Sequence, residues 1–153
     1  MATVDDALKT ETNRYSRLVL EYNSHFKRLV NEARKPGFSI EAWAPLADLV
    51  AVKDFVRVGS FKEVVNWNQY IGLIHGWAPR LTNWDSTFKR ITAADRRVFL
   101  ELEERSTMDG STNVVNSLTV WEFSEAGKLI HLDIYLQQAM AEESAKGWEI
   151  AAV

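Results

Sequence analysis

The sequence contains no cysteine. That excludes disulfide frameworks, thiol nucleophiles and thiolate metal sites. It has no excess of basic charge either: 18 Lys and Arg stand against 21 Asp and Glu, a formal net charge of −3. Neither a nucleic-acid footprint nor an electrostatic hold on an anionic membrane is expected. No apolar run approaches the roughly 20 residues of a membrane span. The opening MATVDDALKTETNRY is polar with early acids, unlike a signal peptide, so the expected location is cytoplasmic. Internal repeats and low-complexity segments are missing. So are a P-loop, a dinucleotide fingerprint, a nucleophilic Ser elbow and a kinase signature.

What remains is ordinary globular composition, 46% hydrophobic and 25% charged over 153 residues. One domain, residues 1–153, is expected, large enough to fold without a metal or disulfide staple. Six Trp, seven Phe and four Tyr are available to fill a core or to line an apolar pocket.

The first 34 residues carry a helical period, with Tyr15, Leu18, Val19, Tyr22, Phe26, Leu29 and Val30 on one stripe. Lys35-Pro36-Gly37 ends it. Ser39 is placed to cap a short helix that buries Trp43 and Leu46. Leu49 to Val58 reads as a strand ending at Gly59, and Ser60 as the cap of a third helix over about 61–77. Beyond residue 83 the period is two: strands Trp84–Thr92, Arg97–Met108, Asn113–Phe123 and Leu129–Gln137, joined by turns. Strands joined by short turns pair antiparallel. With the helices gathered on one face, the class is α+β. The tail 138–153 starts helical (Gln138 to Lys146) and ends apolar, either docked on its own domain or given to an oligomer partner.

This element order resembles the nuclear transport factor 2-like superfamily of ketosteroid isomerases and SnoaL-type cyclases, over roughly residues 10–137. Val52-Lys53-Asp54-Phe55-Val56 is similar to the isomerase strand that carries the general base. Phe123-Ser124-Glu125-Ala126-Gly127-Lys128 is similar to the turn between its last two strands. The resemblance implies a cone: a curved antiparallel sheet wrapped around a long N-terminal helix and two further helices. It implies Asp54 as general base. Thr119 falls at the oxyanion-hole acid's position, and Tyr22 or Tyr15 at that of the oxyanion Tyr. Phe55 replaces the Pro that follows the catalytic Asp, and Thr119 can donate only through a hydroxyl. A homodimer is the superfamily habit.

On the residues alone, Asp54 is the one acid of its strand. It is either a desolvated base in an apolar pocket or an edge acid paired with Lys53, Arg57 or a distant Arg. Alternation puts Leu100, Leu102, Glu104 and Ser106 on one face of the second long strand, which takes Glu104 inside as a possible second acid. On the last strand, His131, Asp133 and Tyr135 oppose Ile130, Leu132, Ile134 and Leu136. His131 with Asp133 is an alternative catalytic dyad if that face lines the pocket. The turn-anchored register instead points the apolar face inward and leaves His131, Asp133 and Tyr135 outside, at a dimer interface or in solvent. Tyr15, Phe26, Trp43, Trp67, Tyr70, Trp77, Trp84 and Trp121 are candidates for an aromatic pocket wall, or for core and interface. Leu102, Ser106, Leu132 and Ile134 complete the expected lining. The three His lie on three elements without a third ligand nearby, so neither metal nor cofactor is expected.

The resulting expectation is a hydrophobic small-molecule pocket. Its chemistry would be cofactor-independent acid/base work of the isomerase, cyclase, dehydratase or epoxide hydrolase type. The substrate would be polycyclic or terpenoid. The alternative is a non-catalytic binding or dimerisation module, in which Asp54 or Glu104 would be neutralised by Arg57, Arg90 or Arg105.

Overall fold

The structure, a computed structural model, describes residues 2–139. The N-terminal helical pattern is split into α1, Val4–Thr10, and α2, Arg14–Glu32. Asn13 makes the break. Its side-chain oxygen accepts the backbone N–H groups of Tyr15 and Ser16 at 3.1 and 3.0 Å and so caps α2. The Arg17 guanidinium then donates to the carbonyls of Leu8 and Glu11 at 3.0 and 2.8 Å, fastening the corner. The apolar stripe of α2 is buried at Val19, Leu20, Tyr22, Leu29 and Val30.

Ser39 stands before a 3-10 turn, Ile40–Trp43, but its side chain makes no capping bond; α3, Ala44–Ala47, follows. The strand expected from Leu49 to Val58 is reduced to β1, Val56–Val58. Residues 51–54 turn instead, with the N–H groups of Asp54 and Phe55 both donating to the Ala51 carbonyl at 3.0 and 2.9 Å. The helix expected over 61–77 also starts late. β2, Val64–Val65, pairs antiparallel with β1, and α4 spans Trp67–Trp77. Ser60 cannot cap because it lies in a hairpin loop closed by the Gly59 N–H on the Glu63 carbonyl at 2.9 Å. Asn66 caps α4 instead, in a reciprocal box with Gln69 at 2.9 Å each way.

Four long strands follow: β3, Asn83–Ala94; β4, Arg97–Met108; β5, Ser111–Phe123; and β6, Leu129–Gln138. They pair antiparallel in chain order. Asp109 and Gly110, at φ 51° and 78°, make the tight β4–β5 turn that only such left-handed residues allow. β1 adds to β6 in parallel, so the sheet order is β2-β1-β6-β5-β4-β3. Register shifts at Phe88/Arg90 and Glu122/Phe123 bend the sheet around α2 into the cone of an α+β fold. Gln138 is strand rather than the first turn of a helix; the rest of the expected tail helix and its apolar end, 140–153, lie outside the described residues. None of the helices among the described residues is long and apolar enough to cross a membrane.

Asn31, at the end of α2, holds the start of β3. Its amide N–H donates to the Trp84 carbonyl at 2.9 Å, and its oxygen accepts the Trp84 N–H at 3.2 Å. The side chain thus replaces a neighbouring strand at the sheet edge. Asn31→Ala leaves both backbone groups unpaired, and an equilibrium denaturation series is expected to show a loss of about 1–3 kcal/mol.

Candidate functional site

A cavity of about 450 Å³ opens between α2, α4 and the inner face of the sheet. α2 supplies Tyr22, Asn23 and Phe26, and α4 supplies Tyr70, Leu73, Ile74 and Trp77. The sheet adds Trp84, Glu104, Ser106, Thr119, Trp121, Leu132 and Ile134; the β1–β2 hairpin adds Arg57 and Glu63. The Tyr22 and Trp121 rings meet edge-on at 5.0 Å, as do those of Phe26 and Trp84 at 5.3 Å, which fixes the apolar wall.

Along β4 the inner face passes from Leu100 and Leu102, in the core, to Glu104 and Ser106, in the cavity. Burial pushes the Glu104 carboxyl above its ordinary value of 4.5. The nearby Ser117 hydroxyl pulls the other way, although it lies outside hydrogen-bond geometry. Of the three cations that could have neutralised Glu104, two are engaged elsewhere, and the third, Arg57, lines the same cavity without an ion pair to it. Arg90 holds Glu101 at 2.5 and 3.0 Å, and Arg105 holds Asp85 at 2.6 Å and Glu103 at 2.9 Å. Among the described residues Glu104 has no ion pair.

Three donors face the same space. The Tyr22 hydroxyl is buried beside the Tyr70 hydroxyl but outside hydrogen-bond geometry, and burial followed by that neighbour lifts its pKa well above that of a free phenol. It stays an O–H donor at any ordinary pH. Thr119 Oγ1 accepts the Trp121 indole N–H at 2.7 Å, which orients the hydroxyl and leaves its own proton to donate. Arg57 is the third. Its guanidinium lies 4.9 Å from the Tyr70 ring centre, its Nε is buried without a partner, and Nη1 is 3.8 Å from Glu63. That pair packs directly over Gly59, where any Cβ would strike the Glu63 carboxyl. Tyr70 is also pushed up by burial, with Arg57 pulling it partly back.

Asp54 is not among these groups. It is exposed in the turn at 51–54, and Phe55 is buried against Trp67 and Tyr70, their ring centres at 5.3 and 6.2 Å from its own. Because side chains alternate along an extended chain, Phe55 and Arg57 face inward together, and the face read from Val52, Asp54 and Val56 is the wrong one. The expected base is thus replaced at the cavity by a cation one step out of phase. Asp54→Asn is expected to leave folding free energy unchanged within about 0.5 kcal/mol, and ligand binding unaffected; thermal denaturation and a binding titration check this.

Other expected wall residues are structural. Tyr15 packs on Phe123 at 5.4 Å, outside the cavity lining. Trp43 is core, between Phe26 and Phe38, and its indole N–H donates to His75 Nδ1 at 3.1 Å. Trp67 and Leu102 are core as well. His131 and Asp133 bond each other at 3.0 Å, on the face of β6 opposite the cavity-lining Leu132 and Ile134. The dyad therefore has no access to the cavity. Among the described residues no three His, Asp or Glu side chains group as a metal site. Among the lining residues missed in sequence are Arg57, considered only as an ion-pair partner of Asp54 or Glu104, and Glu63. Phe55, a large apolar residue two before Arg57, carried the signal for the inward phase.

No family model matches this sequence, and no curated protein matches it. Solved structures do resemble it in fold. An NTF2-like protein from Anabaena variabilis superposes with a TM-score of 0.67 at 12% identity, over 85% of this chain and 96% of the other. A Shewanella putrefaciens protein assigned to the SnoaL-like polyketide cyclases gives 0.68 at 9% identity, over 89% and 88%. An LEH-like epoxide hydrolase from M. tuberculosis gives 0.59 at 12% identity, over 78% and 83%.

Proposed function

From the premise that this chain has the NTF2-like fold, we propose that its cavity binds a hydrophobic small molecule and performs acid/base chemistry on it without a cofactor. The observation that carries this reading is the Glu104 carboxyl: desolvated, without an ion pair among the described residues, and set in an aromatic-walled cavity. Burial raises its pKa, so it keeps its proton to higher pH than a free carboxyl and is the stronger base once ionised. Protonated, it gives its proton to an epoxide or leaving hydroxyl oxygen. Ionised, it removes a proton next to a carbonyl. In the first case the transferred proton neutralises the departing oxygen; in the second negative charge develops on the carbonyl oxygen, and the Tyr22 and Thr119 hydroxyls and the Arg57 guanidinium are donors for it. Isomerisation, cyclisation, dehydration and epoxide opening all fit this set. The fold is shared with a protein assigned to polyketide cyclases and with an epoxide hydrolase, which agrees with that range.

The test is turnover of two probes, an aryl epoxide and a β,γ-unsaturated ketone, across pH. Turnover of either is expected, with a pH profile that moves when Glu104 is replaced. Binding of both probes with turnover of neither would sink the enzymatic reading and leave a ligand-binding module. That second reading has its own support, because the acid aligned with the isomerase base stands outside the cavity.

The outer sheet face is the proposed homodimer surface. Leu118 and Tyr135 are opposite one another across β5 and β6 and are 36% and 58% exposed. Light scattering is expected to give twice the chain mass at micromolar concentration; a monomer would dismiss the dimer.

A further inference from the structure

We infer that the ligand of this cavity carries a carboxylate, held by Arg57, on a flat apolar body. The inference deepens the proposed function and rests on one part of it, that the cavity is a ligand site; it does not need turnover. The argument begins with a charge that lacks adequate compensation. The Arg57 side chain is 19% exposed, yet its Nε is buried with no hydrogen-bond partner. Its nearest anion among the described residues, Glu63, stands at 3.8 Å, an ion-pair distance too long for a hydrogen bond. Glu63 is also committed elsewhere, since its other carboxyl oxygen accepts the Phe61 N–H at 3.0 Å. A guanidinium offers five N–H donors in a planar fork, and taking it out of water without matching acceptors is costly.

The site is also preorganised. The guanidinium lies over the Tyr70 ring at 4.9 Å, and β1 is held on both sides, by β2 and by β6. A fixed fork whose Nε lacks a partner, and whose other contacts are the Tyr70 side chain and the distant Glu63, suits a planar two-oxygen anion, which a guanidinium binds through two parallel hydrogen bonds. The rest of the cavity specifies the other end of the molecule. Trp84, Trp121, Leu132 and Ile134 offer flat and aliphatic surface, and about 450 Å³ suits a ligand of two or three rings. The buried acid does not repel such an anion while it holds its proton. Tyr70 feels the charge of both Arg57 and Glu104, so the anion site and the acid share a wall of the cavity.

The experiment measures binding of 2-naphthoate and of its neutral isostere 2-naphthamide by quenching of tryptophan fluorescence, at neutral pH and low salt. The unmodified protein is expected to bind naphthoate at least tenfold more tightly than naphthamide. Arg57→Gln is expected to abolish that preference while naphthamide still binds, and Arg57→Lys to restore part of it. Equal affinity of the unmodified protein for the two probes overturns the carboxylate inference and leaves the cavity as a ligand site. Failure of both probes to bind overturns the ligand-site reading itself and the inference with it. The comparison in the unmodified protein decides the matter even if an Arg57 variant fails to fold.

Discussion

Glu104→Gln is expected to lower turnover of any substrate this cavity processes by about 10²–10⁴-fold, the usual contribution of a positioned acid or base. The amide keeps the shape and can still hydrogen-bond, but it neither delivers nor accepts a proton. The same substitution is expected to leave the protein more stable at alkaline pH. Burial raises the carboxyl's pKa in the folded state above its ordinary 4.5. Below that ordinary value the group is protonated folded and unfolded, and contributes no pH-dependent penalty. As pH rises through the window between the ordinary and the folded values, the unfolded chain releases its proton first, and stability falls. Above the folded value the penalty is complete. Glutamine never ionises, so the stability difference between variant and parent should be small near pH 4 and grow in the variant's favour toward pH 8. Denaturant melts at several pH values, run beside the activity assay, measure both effects. A residue that served the fold alone would not lose activity while gaining stability.

Trp43→Ala is expected to be the most damaging single truncation for the fold, at about 3–5 kcal/mol. That is a large part of the 5–15 kcal/mol that holds a typical domain together. Trp43 is 1% exposed and packs between Phe26 and Phe38, so its removal leaves a void in the core behind Phe26. Trp43→Phe separates the two contributions. It keeps most of the volume and loses the indole N–H on His75, and about 1 kcal/mol is expected. Chemical denaturation with unchanged slopes checks both. Because Trp43 lies behind the cavity wall and not on it, the phenylalanine variant should bind ligand like the parent.

The long strands were legible because they obey a single rule over ten or more residues. Arg97–Met108 is the observed span of β4, and the alternation that put Leu100, Leu102, Glu104 and Ser106 on one face holds along it. On β6 alternation separated the two faces without choosing between them; only the register of the preceding turn pointed Leu132 and Ile134 inward. Short elements were not legible. From Leu49 to Val58 the residues suit a strand, but local hydrogen bonds to the Ala51 carbonyl turn the chain, and only three residues of β1 pair. A one-residue change of phase then reverses which side chains face inward, and that reversal exchanges Asp54 for Arg57. The start of α4 failed differently. Ser60 and Asn66 are both acceptable caps, and Phe61, Val64 and Val65 fit a helix as well as a hairpin. Both also have a box partner three residues on, Glu63 and Gln69, so the local pattern does not separate them; the hairpin takes Glu63 onto the Phe61 N–H, and the box forms at Asn66.

The central claim is that Glu104 is a desolvated carboxyl facing the cavity. Its most direct test is a carbon-13 NMR titration of the side-chain carboxyls, in the parent and in Glu104→Gln. One glutamate signal is expected to titrate above the ordinary carboxylate range, to vanish in the variant and to shift when 2-naphthoate is added. If every glutamate titrates in the ordinary range, or the elevated one survives Glu104→Gln, the site described here is not the working site of this protein.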